Sequence, residues 1–98
     1  MRMSKHAKAA WLTRVGGHAP PPDAEVRRII AESVRIQQQR DYFTARGHRV
    51  RVLALYWYPP LDIVLKVDHH TDKVVTVLTP RTLEEAYENR TYQGLFGL

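Results

Sequence analysis

The residues best suited to chemistry near the N-terminus are His6 and Arg14. Residues four apart on a helix share one flank. His6, Ala10 and Arg14 follow this spacing, so His6 and Arg14 would lie on one side of a helix, two turns or about 12 Å apart along its axis. A histidine moves a proton near neutral pH and an arginine holds a phosphate, which is the minimum needed to cleave RNA through its 2′-hydroxyl. The alternative is that His6 lies at the surface of the first turn and Arg14 is a solvated cation favoured by the helix dipole.

A second group interleaves basic and aromatic side chains between positions 48 and 66. Its members are His48, Arg49, Arg51, Tyr56, Trp57, Tyr58 and Lys66. Arginines neutralise phosphates and rings stack on bases, so we predict an RNA-binding surface formed by Arg49, Arg51, Tyr58 and Lys66. Strand alternation places Trp57 on the face opposite Tyr58, so not all the rings can face one ligand. The alternative is that Trp57 or Tyr58 belongs to the core.

A third group, Asp68-His69-His70-Thr71-Asp72, contains metal-ligand types. Adjacent histidines on a tight turn point in different directions, and no distant residue is clearly set to complete a coordination sphere. We therefore predict a solvated hairpin turn, no metal site and no cofactor. The sequence also lacks a glycine-rich phosphate loop and an HExxH motif, so P-loop hydrolysis and zinc proteolysis have no support.

Charge is unevenly distributed along the chain. Lys and Arg number 15 against 10 Asp and Glu, which gives a net charge of +5 with neutral histidines. Residues 1–51 hold eleven cations and four acids, or +7, whereas residues 52–98 hold four cations and six acids, or −2. A basic half rich in arginine is typical of a nucleic-acid-binding face, although the same arginines could simply solvate helices and strands.

Length and composition bound the class of protein. The 98 residues are enough for one domain, predicted over 1–98 with its core at 4–80 and a C-terminal helix and tail at 81–98. The absence of cysteine excludes disulfide scaffolds and fits a reducing compartment. Charged residues and prolines interrupt the longest apolar stretch, and no signal-like leader opens the chain. We therefore expect a cytoplasmic protein without a membrane partner.

Two helices are predicted to position the N-terminal residues. Ser4 can cap a helix over Lys5 to Val15, and Asp23 can cap a second over Ala24 to Gln38. The apolar face of the second helix comprises Val26, Ile29, Ile30 and Val34. This pattern is the strongest helical signal in the sequence.

After Arg40 the hydrophobic period changes to 2, which is typical of strands. The predicted strands are Asp41 to Ala45, His48 to Tyr58, Leu61 to Val67 and Lys73 to Thr79. Thr82 and Glu85 form a capping box for a helix over Leu83 to Arg90, before an apolar tail. The predicted fold is α+β, with two N-terminal helices packed on a four-stranded antiparallel sheet, whose other face stays open for a ligand.

The sequence also resembles a known group of proteins. The resemblance rests on Ser4-Lys5-His6-Ala7 with Arg14, on Pro22-Asp23 opening a helix that bears Ile29-Ile30, and on the closing strand Lys73 to Leu78. These features resemble a domain of small bacterial and phage proteins akin to RelE-type and BrnT-type toxins, within the barnase, EndoU, colicin and RelE ribonuclease group. The resemblance implies cleavage of RNA on the sheet face without a metal.

Carried onto this chain, the resemblance implies a catalytic set of His6, Arg14 and Thr79. His6 would transfer protons and Thr79 would donate a hydrogen bond. Arg14, together with Arg51 and Lys66 on the sheet, would hold phosphate.

The predicted function is RNA binding by a RelE-like protein, either a metal-independent endoribonuclease toxin with an antitoxin partner or a degenerate relative. The alternative is a non-catalytic phage or mobile-element protein that binds a host protein through its aromatic sheet face and Leu95-Phe96. A third alternative is a homodimer joined by an exposed edge strand or by the tail.

Overall fold

A computed structural model describes residues 1–85 of the chain. This part of the protein is α+β, as predicted, but its sheets differ from the prediction. The apolar tail and the second half of the predicted C-terminal helix lie outside the described residues.

The first helix, α1, spans Lys5–Arg14. The Ser4 hydroxyl accepts a hydrogen bond from the Ala7 N–H at 3.0 Å, which confirms Ser4 as the N-cap. Ala7, Ala10 and Trp11 are buried against the main sheet, while the other face is exposed. Gly16, with φ of 98°, follows the helix in a conformation that favours glycine.

The second helix, α2, is shorter than predicted and spans Asp23–Glu32. Residues Val34–Gln37 form a strand, β2, so the prediction of helix to Gln38 is wrong. Val34 continues the apolar helical spacing, but Val34 and Ile36 also alternate as a strand requires. These residues form a strand and not a helix because β2 pairs with the strand at Ala54–Tyr58. The β-branched residues Val34 and Ile36 are favourable in such a pairing.

The main sheet is mixed and has five strands in the order β1-β7-β6-β5-β2, so the predicted four-stranded antiparallel sheet is wrong. Besides β2, its strands are β1 (Arg2–Met3), β5 (Ala54–Tyr58), β6 (Ile63–Asp68) and β7 (Lys73–Leu78). Strand β1 runs parallel to β7 and was not predicted. A two-residue strand gives too short a pattern to detect, and only the neighbouring β7 edge makes it a strand.

The long strand predicted over His48 to Tyr58 is broken at Leu53. Its first half, β4 (Arg49–Val52), pairs only with β3 (Arg40–Phe43) in a separate two-stranded sheet. Its second half, β5, lies between β6 and β2 in the main sheet. Leu53 belongs to neither strand, and its carbonyl accepts a hydrogen bond from the Gln37 side chain at 2.9 Å. The alternation of side chains continues through Leu53, so the periodic pattern contains no sign of the break.

The core lies between the two helices and one face of the main sheet, here called the helix face. Its sheet side consists of Ala54, Tyr58, Ile63, Leu65, Val67, Val74 and Val77. The opposite face, here called the second face, is partly closed, since Leu55 and Val64 are also buried. The β3–β4 sheet and the start of a third helix line cavities on this side. The second face was predicted to stay open for a ligand, but the hairpin and the third helix cover part of it.

The third helix, α3, is described over residues 80–85. Thr79 caps it, because its Oγ1 accepts a hydrogen bond from the Thr82 N–H at 3.2 Å. The predicted cap at Thr82 is thus wrong by one turn, and Pro80 takes the first helical position, where its missing N–H costs nothing. None of the helices within residues 1–85 has the length and apolar composition needed to span a bilayer.

Candidate nucleic-acid interface

The β3–β4 hairpin, residues 40–52, carries exposed aromatic rings among arginines. Strand register places Phe43 opposite Arg49 and Asp41 opposite Arg51, so these four side chains share one face of the hairpin. Phe43 is the most exposed large apolar side chain in the described chain, at 71%. A phenylalanine left in water beside two arginines is unusual, because its burial elsewhere would stabilise the fold by roughly 1.5–3 kcal/mol.

The other face of the hairpin carries Tyr42, which is 44% exposed, and Arg40. The Arg40 guanidinium lies 5.6 Å from the centre of the Tyr42 ring, within the range of a cation–π interaction. The turn is closed by hydrogen bonds between Thr44 and His48 and by Gly47, whose φ is 81°. The predicted turn at Arg46-Gly47 is confirmed. Both faces of the hairpin thus combine a ring with cations.

Asp41 is the only acidic residue of the hairpin and lies between its two strand arginines. Arg49 donates to the Asp41 carboxylate at 2.6 Å, and Arg51 lies 3.5 Å from it. The hydrogen bond from Arg49, followed by the charges of Arg49, Arg51 and His70, lowers the pKa of Asp41 below its ordinary value. The carboxylate of Asp41 therefore lies between the two arginines and contacts both.

A cavity of about 300 Å³ separates the hairpin from the second face of the main sheet. Tyr42 and Arg51 line it from the hairpin, Lys66 lines it from β6, and Leu83 lines it from α3. The two basic side chains thus approach one space from two different sheets. A neighbouring cavity is lined by Gln37, Gln38 and Arg40, and Gln38 also lines a third cavity beside the β6–β7 turn.

The β6–β7 turn, residues 69–72, is tied to the chain between β2 and β3 by Gln39. The Gln39 amide donates to Asp68 at 3.1 Å, and its oxygen accepts from the His69 N–H at 2.7 Å. Burial raises the pKa of Asp68, but hydrogen bonds from Gln39, the His70 N–H and Thr71 outweigh it and leave the pKa below its ordinary value. The prediction of a polar hairpin turn is confirmed, and the carboxylate of Asp68 is the group that organises it.

His69 is held by a second contact that the sequence did not suggest. Its Nε2 lies 2.8 Å from the Tyr56 hydroxyl, with the rings in edge-to-face geometry 5.8 Å apart. The Asp72 carboxylate accepts a hydrogen bond from the N-terminal ammonium at 2.8 Å. The hydrogen bond from the N-terminal ammonium lowers the pKa of Asp72, and the charges of His69 and Arg27 lower it further. The turn is thus an ordered polar site.

Of the predicted site residues, Arg51 and Lys66 line the same cavity, and Arg49 lies beside Arg51 on one face of the hairpin. Arg51 makes a further contact, 3.8 Å from the buried Asp68 carboxylate. The predicted strand arginines therefore do share a surface, although they lie on the hairpin and not in the main sheet.

Tyr58 and Thr79 have structural partners instead. Tyr58 is buried in the core at 6% exposure, and its hydrogen bond with Arg28 contributes, after that of Glu25, to raising the pKa of Arg28. Thr79 caps α3 and its hydroxyl lies 2.8 Å from that of Thr82. Trp57 is 37% exposed and donates its indole N–H to Asp62 at 3.0 Å. The core alternative thus holds for Tyr58 and not for Trp57.

His6 and Arg14 lie on α1, on the opposite side of the main sheet from Lys66. Both are exposed, and the Arg14 guanidinium donates to the Val77 carbonyl at 3.0 Å. The sheet separates them from the arginines of the hairpin, because α1 packs on the helix face. The predicted phosphate-holding residues are therefore split between two surfaces, with Arg14 on α1 and with Arg51 and Lys66 at the cavity beneath the hairpin.

The hairpin rings Tyr42 and Phe43 were not among the predicted site residues. The sequence contains a signal for them. In Arg40-Asp41-Tyr42-Phe43 a cation and an anion are followed by two aromatic residues, and no aliphatic residue is present to form a core. Within residues 1–85 no group of three or more His, Asp or Glu side chains is arranged to hold a metal ion. No known family model, curated protein or solved structure matches the chain.

Proposed function

We propose that this protein binds single-stranded RNA on the β3–β4 hairpin and the basic cavity beneath it. The observation that carries the proposal is the placement of exposed Phe43 on the same hairpin face as Arg49 and Arg51. An unpaired base can stack on the ring while the guanidinium groups contact the flanking phosphates. Duplex RNA offers no free base faces and would bind less well.

The concentration of positive charge on the hairpin also supports RNA binding at this surface. Residues 40–51 hold four arginines and one aspartate, a net +3 out of +5 for the whole chain. Lys66 adds a cation across the cavity. Phosphate contacts of this kind release counterions, so the affinity should fall steeply with salt. The resemblance to RelE-type toxins supports RNA as the ligand, and with it a cytoplasmic location.

Fluorescence anisotropy with a labelled 12-nucleotide RNA at 50–300 mM salt tests the proposal. We expect Arg46→Ala/Arg49→Ala to weaken binding at every salt concentration. The slope of log affinity against log salt should flatten by about 0.7 for each lost phosphate contact. The matched control, Lys5→Ala/Lys8→Ala, removes two exposed cations from α1 and should keep at least half of the affinity.

Two results would overturn the proposal. One is the absence of salt-dependent binding by the wild-type protein. The other is a stronger loss in the α1 control than in the hairpin variant, which would move the interface to the surface of His6 and Arg14. A matched duplex RNA and a DNA of the same sequence complete the comparison.

A second candidate function, binding of a host protein, is favoured by a different observation. Val34 and Ile36 on the edge strand β2, next to Trp57, are exposed apolar side chains in one small area. Such an edge can accept a strand from a partner. If Ile36→Glu abolishes a measured protein complex and leaves RNA binding intact, this surface has a separate role.

A further inference from the structure

The cavity between the hairpin and the second face of the main sheet has mostly aliphatic walls. Its volume is about 300 Å³, near the lower end of the range for small-molecule sites. The aliphatic residues that line it are Val50, Val52, Leu53, Leu55, Leu78 and Leu83. Only Leu55 among them is fully buried, and the other five keep part of their surface accessible. The cavity therefore offers apolar surface that a ligand can cover.

Strand register explains why these residues face one space. On the hairpin, Tyr42 lies opposite Val50, and both line the cavity. On the main sheet, Leu55 lies opposite Lys66. Residues directly opposite each other in an antiparallel pair point to the same side, so Lys66 projects from the second face beside Leu55. The walls of the cavity thus contain one lysine among aliphatic side chains.

The ammonium group of Lys66 has no counterion among residues 1–85. Its side chain is partly buried, and it forms no ion pair or hydrogen bond within this part of the chain. Arg51, which lines the same cavity, lies 3.5 Å from Asp41 and 3.8 Å from Asp68. Two carboxylates therefore balance the charge of Arg51, whereas none balances that of Lys66. A cation held among aliphatic side chains without a partner favours the binding of an anion.

We propose that this cavity binds a small aliphatic carboxylate, with its charged end on Lys66 and its alkyl chain against the valines and leucines. The ligand is separate from RNA, and the site does not depend on the RNA-binding function proposed above. Lys66 would belong to both binding sites. An occupied cavity should therefore weaken RNA binding.

The lining of the cavity distinguishes this ligand from a nucleotide. A base and its sugar carry polar groups along their edges, and aliphatic walls leave such groups without hydrogen-bond partners. An alkyl chain has no polar groups, and its transfer from water to an apolar surface is favourable. A neutral alkyl compound would cover the same walls and leave the Lys66 ammonium unpaired. Negative charge on an alkyl chain is therefore the feature that the cavity selects.

Isothermal titration calorimetry of the full-length protein with octanoate at pH 7 tests the proposal. Octanamide has the same alkyl chain without the charge and is the matched ligand. We expect octanoate to bind about tenfold more tightly than octanamide, because a hydrogen bond to a charged partner is the stronger one. Octanoate should also raise the thermal unfolding midpoint as its concentration increases, since it binds the native state.

Lys66→Met removes the charge and keeps an unbranched side chain. We expect this variant to bind octanoate about tenfold more weakly than the wild type and octanamide within about twofold of it. The matched control, Lys8→Met, removes an exposed lysine from α1, across the main sheet. The control should bind octanoate as the wild type does.

A second variant tests the apolar part of the site. Val52→Trp places a larger side chain on the cavity wall and should abolish the binding of both octanoate and octanamide. Val52 is only partly buried, so the change does not overpack the core between the helices and the sheet. Circular dichroism verifies that the variant folds. If it does not fold, Lys66→Met alone decides the question.

Three results would overturn the site. They are the absence of octanoate binding by the wild type, equal affinities for octanoate and octanamide, and unchanged octanoate affinity in Lys66→Met. RNA affinity that is unaffected by saturating octanoate would contradict the sharing of Lys66. Octanoate binding without RNA binding retains this site and overturns the RNA function, whereas RNA binding without octanoate binding does the reverse.

Discussion

Helix α1 and the β3–β4 hairpin contain similar residue types but place them in opposite environments. Trp11 on α1 is buried at 7%, and the cations of the helix are spread around the remaining surface. Phe43 on the hairpin is exposed and lies opposite Arg49, on the face that also carries Arg51. An aromatic residue among cations therefore indicates a binding surface only where the ring is not buried in the core.

The difference arises from what each element packs against. Helix α1 lies on the helix face of the main sheet, so the ring of Trp11 is buried in the core. The hairpin pairs only with itself and leaves a cavity between its inner face and the main sheet. A two-stranded sheet has little apolar surface to offer a ring, and Phe43 therefore stays in solvent.

The largest expected effect contrasts the two rings in stability. Trp11→Ala should lower the free energy of unfolding by about 3–5 kcal/mol, because it removes a large buried side chain. Phe43→Ala should change it by less than about 0.5 kcal/mol, since the ring has few neighbours. Urea unfolding at neutral pH measures both. A hairpin variant as unstable as the helix variant would show that Phe43 belongs to a core.

The second effect contrasts the same regions in RNA affinity. Loss of one stacked base costs about 1–3 kcal/mol, so Phe43→Ala should weaken single-stranded RNA binding roughly 5- to 150-fold. Leu12→Ala removes an exposed apolar side chain from α1 and should leave affinity within about twofold. Anisotropy titrations at one fixed salt concentration compare them. Equal losses in both variants would remove the distinction between the two surfaces.

The third effect concerns the buried Asp68 at the base of the turn. Its pKa is lowered on folding, so it stabilises the native state above its ordinary pKa of 3.8, and this stabilisation is lost as pH falls through the lower native value. Asp68→Asn should cost about 1–3 kcal/mol at pH 7 and progressively less below pH 4. Unfolding midpoints at pH 7, 4 and 3 measure the difference. A gap that stays constant with pH would contradict the assignment.

The smallest expected effect is a gain. Asp41→Asn frees Arg49 and Arg51 and adds one positive charge to the hairpin, so RNA affinity should rise about two- to fivefold at low salt. Asp23→Asn changes the same charge at the start of α2 and serves as the control. Weaker RNA binding by Asp41→Asn would indicate that the carboxylate orients the arginines for the ligand.

Local signals predicted part of the molecule correctly. Ser4 as a cap, the Arg46-Gly47 turn and the Asp68–Asp72 turn each depend on residues close in sequence, and all three are present. The candidate site was predicted only in part. Arg51 and Lys66 line one cavity and Arg49 lies beside Arg51, whereas Tyr58 is in the core and His6 lies across the sheet.

The sequence by itself therefore determined the α+β class, the turns and the basic character of residues 40–51. Only the tertiary structure decided that Val34–Gln37 is a strand, that the long strand breaks at Leu53, and that Tyr56 reaches His69. These outcomes depend on which distant strand supplies hydrogen bonds and apolar area. A periodic pattern describes one segment and contains no information about its partner.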